Sequence, residues 1–313
     1  MVKIAFIFPG QGAQYIGMAM DFIEQNPEYE AILKNFDEKN KTNLFKIMKE
    51  GPEEKLKETK FTQPAILFHS IVAMKTLLAE KEIKPNFVAG HSLGEFSALV
   101  ANGVLSLEDA MYLVHKRGEF MIKANEGKPF AMAAIIGPDS EKVKEICLQA
   151  SKEGIVIAAN FNTPVQTVIS GSKAGVEKAC EILREIGAKR VVPLVVGGPF
   201  HSPLIEKAKT WLAEEMENIK FSPAEIPVIA NVNAEPTANI QEIKENLAKQ
   251  VTSAVLWVDS VNFMIENGVK LFIEFGPKKV LAGMIKKINR EVKVLSIDKV
   301  EDVKSIVEVL ETI

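Results

Sequence analysis

Gly90-His91-Ser92-Leu93-Gly94 is the stretch whose residue types and spacing can do chemistry. Residues 86–89 before it are a short apolar run of strand type, and 95–101 after it read as a helix. Strand, G-x-S-x-G, helix is the nucleophile elbow. Its glycines permit a turn too tight for side chains, and the turn holds the Ser92 hydroxyl out over the end of the strand. The amides of Leu93 and Gly94 then open a helix, where unpaired N–H groups gather partial positive charge and can stabilise an oxyanion. A Gly-rich turn of no chemical use fits the five residues alone, but the strand before and the helix after favour the nucleophile.

A serine nucleophile needs a base. Of the four histidines, His69 lies inside an apolar helix, His91 is next to the nucleophile and points elsewhere, and His115 is mid-helix. His201 sits in the loop Gly197-Gly198-Pro199-Phe200-His201-Ser202-Pro203, which follows a strand. Catalytic groups favour such loops at the carboxyl ends of strands, so His201 is the best candidate. No acid between 92 and 201 stands out as a third member, and a backbone carbonyl can orient the imidazole instead. Arg117 is a further candidate. On helical spacing it falls within the apolar stripe of Ala110, Leu113, Val114, Gly118 and Met121. A cation facing the core needs a partner: either an internal salt bridge, with Glu95 for instance, or a substrate carboxylate held in its fork.

The elements that must position these groups alternate between strand and helix. Residues 2–8 read as a first strand, followed by a loop and a helix from about Ile16. A dinucleotide fingerprint fails there, because position 15 is Tyr15 and not glycine. A charged helical stretch breaks at Gly51-Pro52; Thr62-Gln63-Pro64 then caps a long apolar helix, with Pro64 near its first turn. Ser106 to Asp109 reads as a capping box. Residues 127–197 follow the order βαββαβ, with Asn162-Thr163-Pro164 joining the middle strands, and read as an inserted ferredoxin-like small domain. Residues 1–126 and 198–313 form a large α/β domain with a mostly parallel sheet, completed by a final strand at 292–297.

With 47% hydrophobic residues, 25% charged and a net charge of −3, the chain has a core to bury and no basic excess for nucleic acid. No apolar run approaches the length of a membrane span. Neither a metal motif nor a disulfide framework is present; the two cysteines, Cys147 and Cys180, fit reduced thiols in a cytoplasmic protein.

Taken together, FPGQGAQ at 8–14, TQPA at 62–65, GHSLGEFSAL at 90–99, KRGEFM at 116–121, ISGS at 169–172, GPFHSPL at 198–204 and the segment around Gln250 resemble the malonyl-CoA:acyl carrier protein transacylase family over nearly the whole length. The resemblance implies a hydrolase-like large domain carrying the small one, Ser92 as nucleophile and His201 as base. It also implies the Gln250 carbonyl orienting His201, oxyanion donors at the amides of Gln11 and Leu93, and Arg117 on the malonyl carboxylate. Met121 and Phe200 are then expected to shape the acyl pocket, Phe200 by disfavouring an α-methyl branch. Asn160, Asn162 and Gln166 are expected along the pantetheine arm, with Lys189 and Arg190 at the CoA phosphates. Ordinary turn chemistry and a solvated basic pair explain these last five equally well. The expected reaction passes malonyl from malonyl-CoA to acyl carrier protein for fatty-acid synthesis, with ping-pong kinetics, no cofactor and a monomeric enzyme. A serine esterase, a carrier-docking module with a dead site and an acyltransferase of polyketide synthesis are the alternatives.

Overall fold

The computed structural model describes residues 2–312. β1 (Lys3–Phe8) leads through α1 (Met20–Gln25), α2 (Glu28–Asn40), α3 (Leu44–Glu50) and α4 (Glu53–Leu56) to the long α5 (Thr59–Glu80). Next come β2 (Phe87–Gly90), α6 (Gly94–Ala101) and α7 (Leu107–Lys123). The middle of the chain holds β3 (Phe130–Ile136), α8 (Ser140–Ala150), β4 (Val156–Thr163), β5 (Gln166–Ser172), α9 (Lys173–Glu185) and β6 (Arg190–Pro193). The last third holds α10 (Glu206–Glu217), β7 (Val228–Ile229), β8 (Pro236–Thr237), α11 (Ile240–Gln250), α12 (Trp257–Glu266), β9 (Val269–Phe275), α13 (Val280–Ile288), β10 (Lys293–Ile297) and α14 (Val300–Leu310).

The larger sheet runs β10-β9-β1-β2-β7-β8, parallel except for the last pair. Its central strands read as continuous apolar runs, because helices cover both faces. Phe6, Phe8, Val88, Ile273 and Phe275 join the core on the α5–α7 side. Ala5, Ile7, Ala89 and Phe272 join that on the α12–α13 side. The smaller sheet is antiparallel in the order β4-β5-β3-β6, the strand order of a ferredoxin-like unit. Ala133, Ile135 and Ile169 pack one face of it against α8 and α9, while Met132, Ala134 and Val168 turn the other face to the large core. Among the described residues, no helix is long and apolar enough to cross a membrane.

Several expectations give way to physical reasons. The first helix starts at Met20 rather than Ile16, because Gly17 and Ala19 hold positive φ of 88° and 66° in turns. Pro64 lies inside α5, five residues past its start. Proline has no N–H for the Lys60 carbonyl one turn earlier, and His115 Nδ1 on α7 supplies the bond instead, at 2.9 Å. β4 runs on through Asn162 and Thr163, so the turn is Pro164-Val165. β6 stops at Pro193, four residues short of the end of the 127–197 unit. The short β8 and the whole of α14 went unread; Asp302 caps α14 by accepting from the amides of Asp298 and Lys299.

Candidate active site

Ser92 sits between β2 and α6 with φ of 52°, the strained backbone an elbow imposes. A Cβ on Gly90 would lie 1.9 Å from the Gly94 backbone, and one on Gly94 would lie 2.0 Å from the Phe8 carbonyl, so neither position admits a side chain. Asn231, just beyond β7, pins the turn. Its Oδ1 accepts from the Ser92 amide at 2.7 Å, and its Nδ2 donates to the Gly90 carbonyl at 2.7 Å.

Ser92 Oγ lies 2.8 Å from His201 Nε2. On the far side of the ring, Nδ1 is 2.8 Å from the main-chain carbonyl of Gln250. A carbonyl only accepts, so Nδ1 carries the proton and Nε2 is left to take the one from serine. His201 also has a positive φ, 59°, which throws its ring from the 197–203 loop into the site. Burial and then the Arg117 charge push its pKa down to about 3, so the imidazole is neutral, with Nε2 free to accept a proton.

Arg117 is 1% exposed. Its Nη1 donates to Gln63 Oε1 at 2.8 Å; its Nη2 donates to Gln250 Oε1 at 2.7 Å and to Ser92 Oγ at 3.0 Å. Every one of these acceptors is neutral. No ion pair joins it to Glu95 among the described residues; the Gln250 amide stands between them, donating from Nε2 to Glu95 Oε2 at 2.7 Å. Burial lowers the guanidinium pKa to about 10 and raises that of Glu95 to about 7.

Ser92 opens into a cleft of about 260 Å³ between the two sheets. Gln11 and Leu93 line it beside Ser92, and their amides have no hydrogen-bond partner among the described residues.

Residues 5–309 match the family model described as acyl transferase domain. Over 311 residues the chain is 45% identical to a malonyl CoA-acyl carrier protein transacylase of Bacillus subtilis, covering 99% of this chain and 98% of that one. The chain belongs to the malonyl CoA-acyl carrier protein transacylase family. The crystal structure of malonyl-CoA:acyl carrier protein transacylase from Xanthomonas oryzae superimposes with a TM-score of 0.94 at 36% identity, covering 99% of this chain and 98% of that one. A malonyl-transacylase solved in complex with a type II PKS acyl-carrier protein superimposes with a TM-score of 0.94 at 35% identity, covering 98% of this chain and 99% of that one.

Against this family background, Ser92, His201, Arg117, Gln11, Leu93, Met121, Phe200, Asn160, Asn162 and Gln166 all border the one cleft, and Gln250 closes it from behind. Lys189 and Arg190 do not line it; both are exposed. Arg190 pairs with Ile136, which also pairs with Gln166, so Arg190 shares the cleft-facing side of the small sheet. Lys189, one residue earlier, falls on the opposite side of the pleat. His91 supports the turn: its Nε2 is 2.8 Å from Asn162 Oδ1, and its ring meets Trp257 edge-on. That bond ties the elbow to the small sheet. The segment before α12 joins the same sheet: the Val255 amide donates to the Ala159 carbonyl at 2.9 Å, and the Val255 carbonyl accepts from the Phe161 amide at 3.0 Å.

Sequence reasoning passed over Gln63, Asn231 and the side chain of Gln250. Asn231 had a usable signal, a polar side chain at the carboxyl end of a strand, where open α/β sheets place their sites. Gln63 stands on α5 one position before Pro64, in a helix whose residues are otherwise read as core.

Proposed function

We propose that this chain transfers a malonyl group from malonyl-CoA to the pantetheine thiol of an acyl carrier protein, through a malonyl ester on Ser92, in supply of fatty-acid synthesis. One observation carries the reading: a buried guanidinium with only neutral acceptors stands within hydrogen-bond reach of the nucleophile. An esterase or lipase has no use for such a group, whereas malonyl ends in a carboxylate that fits a two-pronged fork.

Ser92 Oγ attacks the thioester carbonyl while His201 Nε2 takes its proton. The amides of Gln11 and Leu93 hold the oxyanion, each donor contributing about 2.7–4 kcal/mol. As the tetrahedral species collapses, the CoA sulfur leaves with the proton from His201. The carrier's thiol then enters the same cleft, gives its proton to His201 and attacks the ester carbonyl; the bond to Ser92 Oγ breaks as His201 Nε2 returns the proton to it. One site serves both halves, so the kinetics are ping-pong. Each step is proton transfer and acyl transfer, and none calls for a metal or a redox group. Asn160, Asn162 and Gln166 are placed to hydrogen-bond the pantetheine amides, Phe200 and Met121 bound the acyl pocket, and Arg190 extends the same face toward the CoA phosphates.

We further assign residues 127–197 to a small domain and the remainder to the large one. The enzyme acts as a monomer in the cytoplasm, a reading supported by a cleft completed within one chain and by two unpaired, buried cysteines. The test is to incubate the protein with malonyl-CoA and locate the adduct by peptide mass spectrometry. The adduct is expected on Ser92, absent in Ser92→Ala, and formed at least about a hundredfold more slowly in His201→Ala. Rapid turnover of malonyl-CoA to free malonate without any thiol would make the protein a hydrolase instead.

A further inference from the structure

Besides the carbonyl on His201, Gln250 has a side-chain amide that makes three bonds of its own. Nε2 donates to the Ser92 carbonyl at 2.9 Å and to Glu95 Oε2 at 2.7 Å; Oε1 accepts from Arg117 Nη2 at 2.7 Å. Turned over, the amide would set oxygen against two oxygens and N–H groups against a guanidinium. Of the groups that forbid the turned state, Glu95 is the acid. It is 2% exposed, on the first turn of α6, and its Oε2 also accepts from the Asn231 amide at 3.2 Å. A carboxylate in direct contact with Arg117 would neutralise the cation and occupy its fork. Here the acid stands one amide away, so the guanidinium keeps neutral partners and its charge stays free for a ligand.

We infer that Glu95 is a positioning residue: by holding the Gln250 amide in one orientation it aims Arg117 at the acyl group's carboxylate, and thereby sets the preference for malonyl over acetyl. This rests on the reading of Arg117 given above. The role makes the acceptor oxygen at position 95 the feature that matters, rather than its charge or its bulk.

Four variants and one cycle test it, each followed by kcat/KM for malonyl-CoA and acetyl-CoA, a melting curve, and labelling of Ser92 by a small sulfonyl fluoride. Glu95→Met keeps the length of the side chain and removes the acceptor. It is expected to lower the malonyl-to-acetyl ratio at least tenfold, chiefly through a higher KM for malonyl-CoA, with Ser92 labelling within about threefold of the parent. Glu95→Gln retains an acceptor oxygen and is expected to keep the ratio within about threefold. In a Gln250→Leu background, which keeps the carbonyl on His201, adding Glu95→Met is expected to change the ratio less than twofold, because the two act as a unit. Should Glu95→Met not fold, Glu95→Asp takes its place, keeping the acid but falling one methylene short of Gln250; a tenfold loss of ratio is again expected. A folded Glu95→Met or Glu95→Asp with the parent ratio overturns the inference, as does a full Glu95→Met effect without the Gln250 amide. Arg117→Ala separates the two levels. If it too leaves the ratio untouched, the assignment of Arg117 fails; if it abolishes the ratio while the Glu95 variants do not, only the role of Glu95 fails.

Discussion

Replacing Arg117 with alanine removes the group on which acyl selection depends, and its size follows from the geometry. The guanidinium is buried, and its pKa near 10 records the cost of holding a cation there. Its Nε has no hydrogen-bond partner among the described residues. A carboxylate in its fork gains two charge-assisted bonds of about 1.5–3 kcal/mol each. Breaking a buried pair of this kind costs about 3–5 kcal/mol, or about two to three and a half decades in kcat/KM. Acetyl-CoA offers no carboxylate, so with it the cation stays desolvated. Arg117→Ala is therefore expected to lose about two to three and a half decades of malonyl kcat/KM while acetyl kcat/KM rises. A second signature accompanies the first. The Arg117 charge is the next largest reason, after burial, that His201 is held near pKa 3. His201 works in its neutral form, above its pKa. Without the cation that pKa rises, so the acid limb of the pH–rate profile moves to higher pH in the variant. The assay is initial rates with both thioesters over a pH range that reaches down to about pH 3, beside a melting curve. A folded variant with an unchanged malonyl-to-acetyl ratio and an unmoved acid limb would refute the argument.

Arg190→Ala is expected to raise the KM for malonyl-CoA severalfold with kcat kept, and Lys189→Ala to change neither, because only position 190 shares the face of Gln166; equal effects from both would place the phosphates elsewhere. The titration of buried groups also sets how stability depends on pH. His69 and His201 have folded-state pKa values lowered to about 4 and about 3 by burial, from an ordinary 6.5. The unfolded chain therefore binds their protons first, and stability falls as pH drops through 6.5, by about 1.4 kcal/mol per pH unit for each. Glu95 is raised to about 7 from 4.5, so the folded state binds its proton first, and in that window it gains stability as pH falls. From pH 6.5 to 5 His69 and His201 together cost about 3 kcal/mol and Glu95 returns about 2; His91 and His115, also lowered by burial, add to the loss, and Glu274, raised by burial, offsets part of it. Urea titrations should show a loss about 2 kcal/mol larger in Glu95→Gln than in the parent; equal losses would mean that Glu95 titrates as an ordinary acid.

What the sequence made legible was local. The elbow is a five-residue pattern with its own strand and helix, and Arg117 declares itself by breaking an apolar stripe. His201 could be reached by elimination among four histidines. The pieces that stayed hidden are long-range or conformational. Asn231 binds the Ser92 amide from 139 residues away, and Gln63 meets Arg117 across 54; no spacing rule joins such pairs. α14 was missed because Val300, Val303, Ile306, Val307 and Val309 are β-branched and carry little helix propensity. Their i, i+3 spacing buries Val303 and Ile306 against the core all the same. Pro64 misled for a related reason: whether a proline ends a helix depends on who takes the freed carbonyl, and the taker, His115, is on another element.

That seam between α5 and α7 also fixes where Arg117 points, and Gly118 is its test. A Cβ at Gly118 would lie 2.8 Å from Lys60 Cα and from its amide nitrogen, both backbone atoms that cannot rotate away. Ordinary contact begins near 3.4 Å, so Gly118→Ala must part the helices by about 0.6 Å at that point. Overpacking of this kind costs about 1–3 kcal/mol, and alanine returns up to about 1 through helix propensity. The expected net loss of stability is therefore modest, about 0–2 kcal/mol. The effect on selection is expected to exceed it. Gln63 lies one turn beyond Lys60 on the helix that must move, Arg117 is the neighbour of the substituted residue, and their bond of 2.8 Å crosses the seam. A shift of half an ångström at that bond spoils the fork's aim while leaving Ser92 and His201, which stand on other elements, in place. Gly118→Ala should thus lower the malonyl-to-acetyl ratio about tenfold, with the acylation of Ser92 by acetyl-CoA held near the parent rate and a melting point within a few degrees. Should the ratio hold while the melting point falls, the seam gives way without moving Arg117, and selection does not depend on how closely α5 and α7 approach.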